Sequence, residues 1–311
     1  MNLETLIAWV RFENPVFNAS GPSCTTFGEL EKIANSWSSA IMMKSCTLEE
    51  REWNLEPRYV DLELGSINSM WLPNLWYKKY LEFSKDLKKI SKKPVLASIA
   101  WLKIEDFNIM VKAFQEDSEV DLIEVNLSCP NVVGKPQIAY DFEASDKILS
   151  MIDNLWNKPI WVKLPPYFDL VHTEQMANVI SKHNISFITT INSVWNTLFI
   201  NPDKQQVVIK PKWWFGWLGW DYVKPIALAN VRKFYEILWD KVDIIWVGWI
   251  KSWIDVFEFI LAWAKAVQLG TVYERTWNIC FEKIIKEFNE YLNKKGYKKI
   301  EEFRGKLKII E

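Results

Sequence analysis

Glycine is scarce in this chain. Its 311 residues include 10 glycines, where ordinary usage of about 7% predicts roughly twice as many. No G-x-G-x-x-G follows the first apolar run, which removes the usual mark of an open, doubly wound dinucleotide-binding sheet. There are two histidines, His172 and His183, both in polar helical stretches away from any strand end, so a Ser-His-Asp or Cys-His hydrolase has no base to work with. The four cysteines, Cys24, Cys46, Cys129 and Cys280, are far apart with no C-x-x-C spacing; this excludes a zinc site and a disulfide framework and fits reduced thiols in the cytoplasm. No metal site is expected. Thirty-eight basic against 39 acidic residues leave a formal charge of -1, which gives nucleic acid or an anionic membrane nothing to bind. No apolar run approaches the roughly 20 residues of a membrane span, and the N-terminus has neither a basic n-region nor an apolar h-region.

Tryptophan is in excess, at 19 residues. A very aromatic core would explain the number but not the positions. Trp37, Trp156 and Trp239 each follow a helical pattern at the point where a left-handed C′ residue, usually glycine, is expected, and tryptophan takes a positive φ only at a cost.

Eight short β-like runs recur, at 16–19, 40–44, 95–99, 121–127, 160–164, 187–191, 243–248 and 265–269. Their near-continuous apolar character suits strands buried on both faces of a parallel sheet. Amphipathic stretches follow them at 27–36, 75–90, 104–116, 143–155, 173–182, 227–238, 253–262 and 278–294. Eight β/α pairs predict a (β/α)8 barrel occupying residues 1–311 as one α/β domain. Two connections, 47–73 and 195–224, exceed simple βα loops and are expected to be insertions at the C-terminal face, where barrels place their active sites.

The polar residues fall at strand ends on that face. Lys44 and Ser45 close the second run, Asn126 the fourth, Lys163 the fifth, Asn192 and Ser193 the sixth, Gly248 the seventh, and Gly270 and Thr271 the eighth. A lone cysteine is more often a small buried hydrophobe than a catalyst. Cys129, however, follows a strand end, stands between Asn126 and Asn131, and precedes a loop suited to closing over a ligand. Lysines that close apolar strands are uncommon, and a salt-bridge role is the bland alternative. Two of them among several amides suit an anionic, planar ligand, such as a flavin with a pyrimidine carboxylate. Gly248 and Gly270, after strands seven and eight, are where barrels commonly bind phosphate.

Seven segments carry a resemblance: 14–21 (NPVFNASG), 56–70 (EPRYVDLELGSINSM), 126–131 (NLSCPN), 134–137 (GKPQ), 140–143 (YDFE), 162–169 (VKLPPYFD) and 208–212 (VIKPK). With these the chain resembles, almost end to end, the class 1A dihydroorotate dehydrogenases, soluble FMN enzymes of pyrimidine biosynthesis. The resemblance implies that Cys129 removes the C5 proton of dihydroorotate while hydride leaves C6 for flavin N5, with fumarate as electron acceptor. It implies that Lys44, Asn68, Met70, Trp71, Leu72, Asn126, Asn131, Asn192 and Ser193 hold the substrate. For FMN it implies Ala19, Ser20, Gly21, Lys44, Ser45, Asn126, Lys163 and Ile191, with Trp220, Gly248, Trp249, Gly270 and Thr271 toward the phosphate. Such enzymes are cytoplasmic homodimers. A 1B-like or dihydropyrimidine-type oxidoreductase with another acceptor, or a barrel without flavin, are the alternatives.

The chain departs from that family systematically, with tryptophan at glycine positions 53, 71, 76, 101, 161, 195, 214, 217, 220, 249, 253, 263 and 277. An indole at Trp249 would collide with the phosphate. This is the pattern expected if UGA codons meaning glycine are written as tryptophan; the 19 tryptophans and 10 glycines together are about 9% of the chain, an ordinary glycine content.

Overall fold

The computed structural model describes residues 2–100, 104–128, 137–155, 157–210, 214–248 and 250–310. A hairpin, β1 (Thr5–Ile7) and β2 (Val10–Phe12), precedes β3 (Val16–Asn18), α1 (Phe27–Ala34) and β4 (Ile41–Cys46). Next come β5 (Tyr59–Leu62), β6 (Gly65–Asn68), α2 (Trp76–Ile90), β7 (Val95–Ile99), α3 (Ile104–Glu116), β8 (Leu122–Asn126), α4 (Phe142–Ile152), β9 (Ile160–Leu164), α5 (Leu170–Ser181) and β10 (Phe187–Thr190). Four short strands follow: β11 (Val194–Thr197), β12 (Ile200–Asn201), β13 (Gln206–Val207) and β14 (Gly216–Trp220). The remaining elements are α6 (Lys224–Leu238), β15 (Asp243–Val247), α7 (Trp253–Leu261), β16 (Ala266–Leu269), α8 (Thr271–Thr276) and α9 (Ile279–Lys295).

Eight strands form one parallel sheet in the order β3-β16-β15-β10-β9-β8-β7-β4, with helices around it: the expected α/β barrel. All eight runs named from the sequence are strands of this sheet, because residues buried on both faces leave no alternation to mistake. The seam between β3 and β4 is closed by Ser39, whose N–H donates to the Val16 carbonyl at 3.0 Å, and by a side chain. Asn18, fully buried, accepts from the Met42 N–H at 2.9 Å and donates to the Met42 carbonyl at 2.7 Å, standing in for a missing ladder pair.

Two cores result. Inside the barrel, Phe12, Phe17, Met42, Leu96, Leu122, Trp161, Phe187 and Ile245 pack together. Ile7 and Phe12 bring the β1–β2 hairpin into that cluster, and Thr5 Oγ1 and the Ala8 N–H bond to Lys265 and Asp243 at the strand starts, so the hairpin plugs the N-terminal end. Outside, the apolar helix faces pack on the strands as a second cluster. Local chemistry starts the helices in register. Thr26 and Glu29 form a capping box on α1, while Asp141 and Asp169 cap α4 and α5. Lys93, at the start of β7, donates to the Ile33, Ala34 and Ser36 carbonyls at the end of α1, and burial pulls its pKa down.

The long connections are not plain loops. They supply β5, β6, β11 and β14, which pair as an antiparallel sheet in the order β11-β14-β6-β5. Left-handed backbone is concentrated in tryptophan: Trp71, Trp76, Trp214, Trp239, Trp263 and Trp277 all have positive φ. Trp239 caps α6 as expected, with φ 51° and ψ -144°. Trp37 does not fit that expectation. Helix α1 ends on Asn35 in an ordinary conformation with φ -88°, so the chain leaves the helix without a left-handed residue, and Trp37 is not among those with positive φ. Trp156 lies outside the described residues.

Replacing Asn18 with Ala leaves the buried Met42 N–H and carbonyl without partners, at a cost of about 2–5 kcal/mol for the two. Urea denaturation of Asn18→Ala should show an unfolding free energy lower by that amount and a correspondingly lower midpoint, and Asn18→Asp should recover the bond to the N–H alone.

Candidate active site

A cavity of about 470 Å³ opens at the C-terminal ends of the barrel strands beneath the β11-β14-β6-β5 sheet, a size in the usual range for small-molecule sites. Parallel strands all finish at one end, so side chains far apart in sequence meet there. Ala19, Ser20 and Gly21 after β3, Lys44 and Ser45 in β4, Asn126 in β8, Lys163 in β9, and Ile191, Asn192 and Ser193 after β10 line it. Asn68, Met70, Trp71 and Leu72 line it from the covering sheet and the loop after it, and Gly248, Gly270 and Thr271 from the ends of β15 and β16. Every residue named from the sequence and described with its side chain lies on this cavity. Cys129, Asn131 and Trp249 lie outside the described residues. The backbone of Trp220 pairs with Gly65 in the covering sheet.

The floor carries two lysines held by hydrogen bonds. Lys44 and Lys163 are 7% and 5% exposed. Lys44 Nζ donates to the Gly21 carbonyl at 2.6 Å, and Lys163 Nζ reaches Ser20 Oγ at 3.3 Å. Asn126 and Asn192 are tied through Ser128: Asn126 Oδ1 accepts from Ser128 Oγ at 2.6 Å and from its N–H at 3.1 Å, and Asn192 Nδ2 donates to Ser128 Oγ at 2.7 Å. These bonds fix the amide orientations before any ligand arrives.

The sequence reading missed two residues below this floor. Glu124, two positions before Asn126, is fully buried and accepts from Ser20 Oγ at 2.8 Å, Ser98 Oγ at 2.6 Å and Trp161 Nε1 at 3.0 Å. A charged residue inside the apolar run 121–127 was the available signal. Ser98, in β7, gave none. Also missed were Trp53, Arg58 and Trp217, which line the cavity mouth; the Arg58 guanidinium lies over the Trp53 ring, 4.9 Å from its centroid. The indoles of Trp71, Trp195 and Trp217 pack side by side there, with centroids 5.9 and 5.1 Å apart.

At the opposite end, small residues hold the space open. A Cβ on Gly219 would stand 3.7 Å from Thr271 Oγ1 and 3.8 Å from Ser66 Oγ, and Gly248 has a φ of 100°, which an L side chain adopts only under strain. Gly219, Gly248, Gly270 and Thr271 therefore form a cradle that side chains would fill. Together with the cationic floor it fits an elongated ligand with a planar head and an anionic tail.

The other thiols are not acid-base groups. Burial pushes the Cys24 thiol up to about 12 and the Cys280 thiol up to about 11, and raises Cys46 further. None is a thiolate near neutral pH.

A family model described as dihydroorotate dehydrogenase matches residues 2–292. A dihydroorotate dehydrogenase A (fumarate) of Lactococcus lactis subsp. cremoris is 47% identical over 310 residues, covering 99% of this chain and 100% of the relative. A dihydroorotate dehydrogenase (fumarate) of Kluyveromyces lactis is 46% identical over 301 residues, covering 96% of each. A putative dihydroorotate dehydrogenase A (fumarate) of Streptococcus agalactiae is 45% identical over 311 residues, covering all of both.

Because raised thiol pKa values keep Cys24, Cys46 and Cys280 protonated, alkylation of the native protein at pH 8 should leave all three unmodified until urea is added. Peptide mass mapping before and after denaturation checks this.

Proposed function

The chain belongs to the dihydroorotate dehydrogenase family, and we propose that it oxidises dihydroorotate to orotate, in the formation of pyrimidine nucleotides, with fumarate as the final electron acceptor. The observation that carries this beyond family membership is the pairing of two buried lysines, Lys44 and Lys163, with four amide and hydroxyl side chains, Asn68, Asn126, Asn192 and Ser193, around one cavity. A planar, anionic ring with several N–H and carbonyl groups complements that set.

The family implies a flavin, and the described residues fit FMN. Ala19, Ser20, Gly21, Lys44, Ser45, Asn126, Lys163 and Ile191 would hold the ring system. The Gly219, Gly248, Gly270 and Thr271 cradle, with the Trp220 backbone, would take the phosphate, and so would the backbone at position 249 once glycine stands there in place of the colliding indole. When bound, the flavin would supply a two-electron carrier between the substrate's C6 hydride and fumarate, whose reduction to succinate takes two electrons and two protons. The chain's own part is to orient and deprotonate. Lys44, Asn68, Asn126, Asn131, Asn192 and Ser193, with the backbone of Met70, Trp71 and Leu72, would fix the substrate ring. Cys129 would take the C5 proton, and a cysteine suits that task near neutral pH where cations lower its pKa. What supports Cys129 is its place three residues past Asn126 and the protonated state of the other three thiols. Residues 1–311 act as one domain in this reading, in the cytoplasm and as a homodimer; among the described residues no helix is long and apolar enough to cross a membrane.

Cys129→Ala should lose on the order of 10²–10⁴-fold in orotate formation while the purified protein stays yellow with flavin absorbance. Unchanged turnover would remove Cys129 as the base. Turnover with a quinone or NAD but not with fumarate would replace the acceptor, and a folded but colourless protein would leave only the barrel.

A further inference from the structure

Left-handed backbone in this chain belongs mostly to the residue least suited to it. Of the eleven described non-glycine residues with positive φ, six are tryptophan: Trp71, Trp76, Trp214, Trp239, Trp263 and Trp277. Asparagine and aspartate are the non-glycine residues that favour this region, yet Asn196 is the one example here. Two of the six are more demanding. Trp239 (φ 51°, ψ -144°) and Trp277 (φ 52°, ψ -147°) end α6 and α8 in a region that only glycine populates freely. Each donates its N–H back to the helix, to the Tyr235 and Tyr273 carbonyls, so the turn itself requires the conformation. Burial offers little compensation, since Trp214, Trp239 and Trp277 are 54%, 60% and 42% exposed; Trp239 stacks on Tyr235 and Trp277 packs against Tyr273 and Lys32 at the surface.

We propose that UGA codons in this gene are read as glycine, so that the chain made in its own cell has glycine at these six positions. The backbone singles them out without reference to any relative. At Trp71 the change also enlarges the substrate side of the cavity. Two measurements decide it. The gene should show UGA at all six positions, and peptides of the native protein from its source should have glycine masses there; UGG codons, or peptides carrying tryptophan, overturn the proposal. Recombinant protein with all six changed to glycine should unfold at a higher denaturant concentration than the tryptophan form; an equal or lower midpoint overturns it.

A second observation stands apart from the first. Ser20, Ser45, Ser98 and Glu124 cluster under the cavity: Ser20 donates to Glu124 at 2.8 Å and Ser98 donates to it at 2.6 Å, and the single Ser45 proton goes either to Ser98, at 2.8 Å, or to Ser20, at 3.2 Å. A carboxylate only accepts, so Ser20 and Ser98 must both point their protons down at Glu124. Ser20 then turns lone pairs toward Lys163 Nζ and the cavity. From this geometry we infer that Glu124 is a positioning residue, setting the donor-acceptor direction of the floor that meets the flavin; the inference rests on the flavin reading above.

Glu124→Gln replaces one acceptor with a donor at nearly constant shape. It should weaken FMN binding several-fold, read by recovery of flavin fluorescence on dilution, and shift the visible flavin spectrum, with Glu124→Asp recovering part of both. FMN affinity and spectrum unchanged in Glu124→Gln overturn the positioning role. Failure of the flavin reading itself is distinguishable, because the parent protein would then bind no FMN.

Discussion

A parallel barrel depends on closing its last seam, and here the Asn18 side chain closes it together with Ser39, whose N–H and hydroxyl both donate to the Val16 carbonyl. Seven of the eight interfaces in the sheet are parallel ladders, the β4–β7 ladder with an irregularity between Met42 and Ser45. The eighth, between β3 and β4, relies on the Asn18 amide to satisfy both backbone groups of Met42. Asn18 immediately precedes Ala19, Ser20 and Gly21, and Met42 precedes Lys44 and Ser45 by two or three residues. The bond that closes the barrel therefore also sets the height at which two of the cavity's walls begin. Interior packing carries this setting through the fold, since Phe17 and Met42 belong to the same buried cluster as Leu96, Leu122 and Phe187.

Closure then forces polarity to one end. With the N-terminal mouth plugged by Ile7 and Phe12 and the interior filled with apolar rings, buried charge is tolerable only where hydrogen bonds converge. Glu124, Lys163 and Lys44 occupy that layer, connected through Ser20, Ser45, Ser98 and the Gly21 carbonyl. A floor arranged in this way does not need to reorganise when a ligand arrives, which is where much of the advantage of an enzyme site over water originates.

Much of this was legible in the sequence, for physical reasons that differ by element. Strands such as Val95–Ile99 and Ile160–Leu164 stood out because burial on both faces produces an uninterrupted apolar run bounded by polar residues. The site residues followed because parallel strands share an end, so strand-terminal polar residues converge without knowledge of any contact. The covering sheet was not legible. Its strands are four or five residues long, and β14 pairs with β6 across about 150 residues of chain, a separation that no local pattern encodes. Glu124 was visible as a charge in an apolar run, but its partners come from the neighbouring strand β7 (Ser98) and from the end of β3 across the barrel (Ser20), which only the closed sheet brings together. Trp37 misled because a helical pattern shows where a helix weakens and not which cap ends it.

The backbone now bears on the composition. A non-glycine residue held in a sparsely populated region costs on the order of 1–3 kcal/mol, so the six tryptophans with positive φ together cost roughly 6–18 kcal/mol. A domain's entire stability is about 5–15 kcal/mol. A fold that spent so much on surface turns would have little left for a strained active site, and strain at turns such as Trp239 and Trp277 serves no chemistry. The barrel keeps its strands, caps, seam and floor intact, and more than half of the described non-glycine residues with positive φ are of one type, wrong in the same way each time. Random decay of a disused enzyme would scatter its damage across residue types and reach the floor as readily as the turns. Damage of a single kind, at positions chosen by backbone geometry, points to how the codons are read and not to what the enzyme has lost.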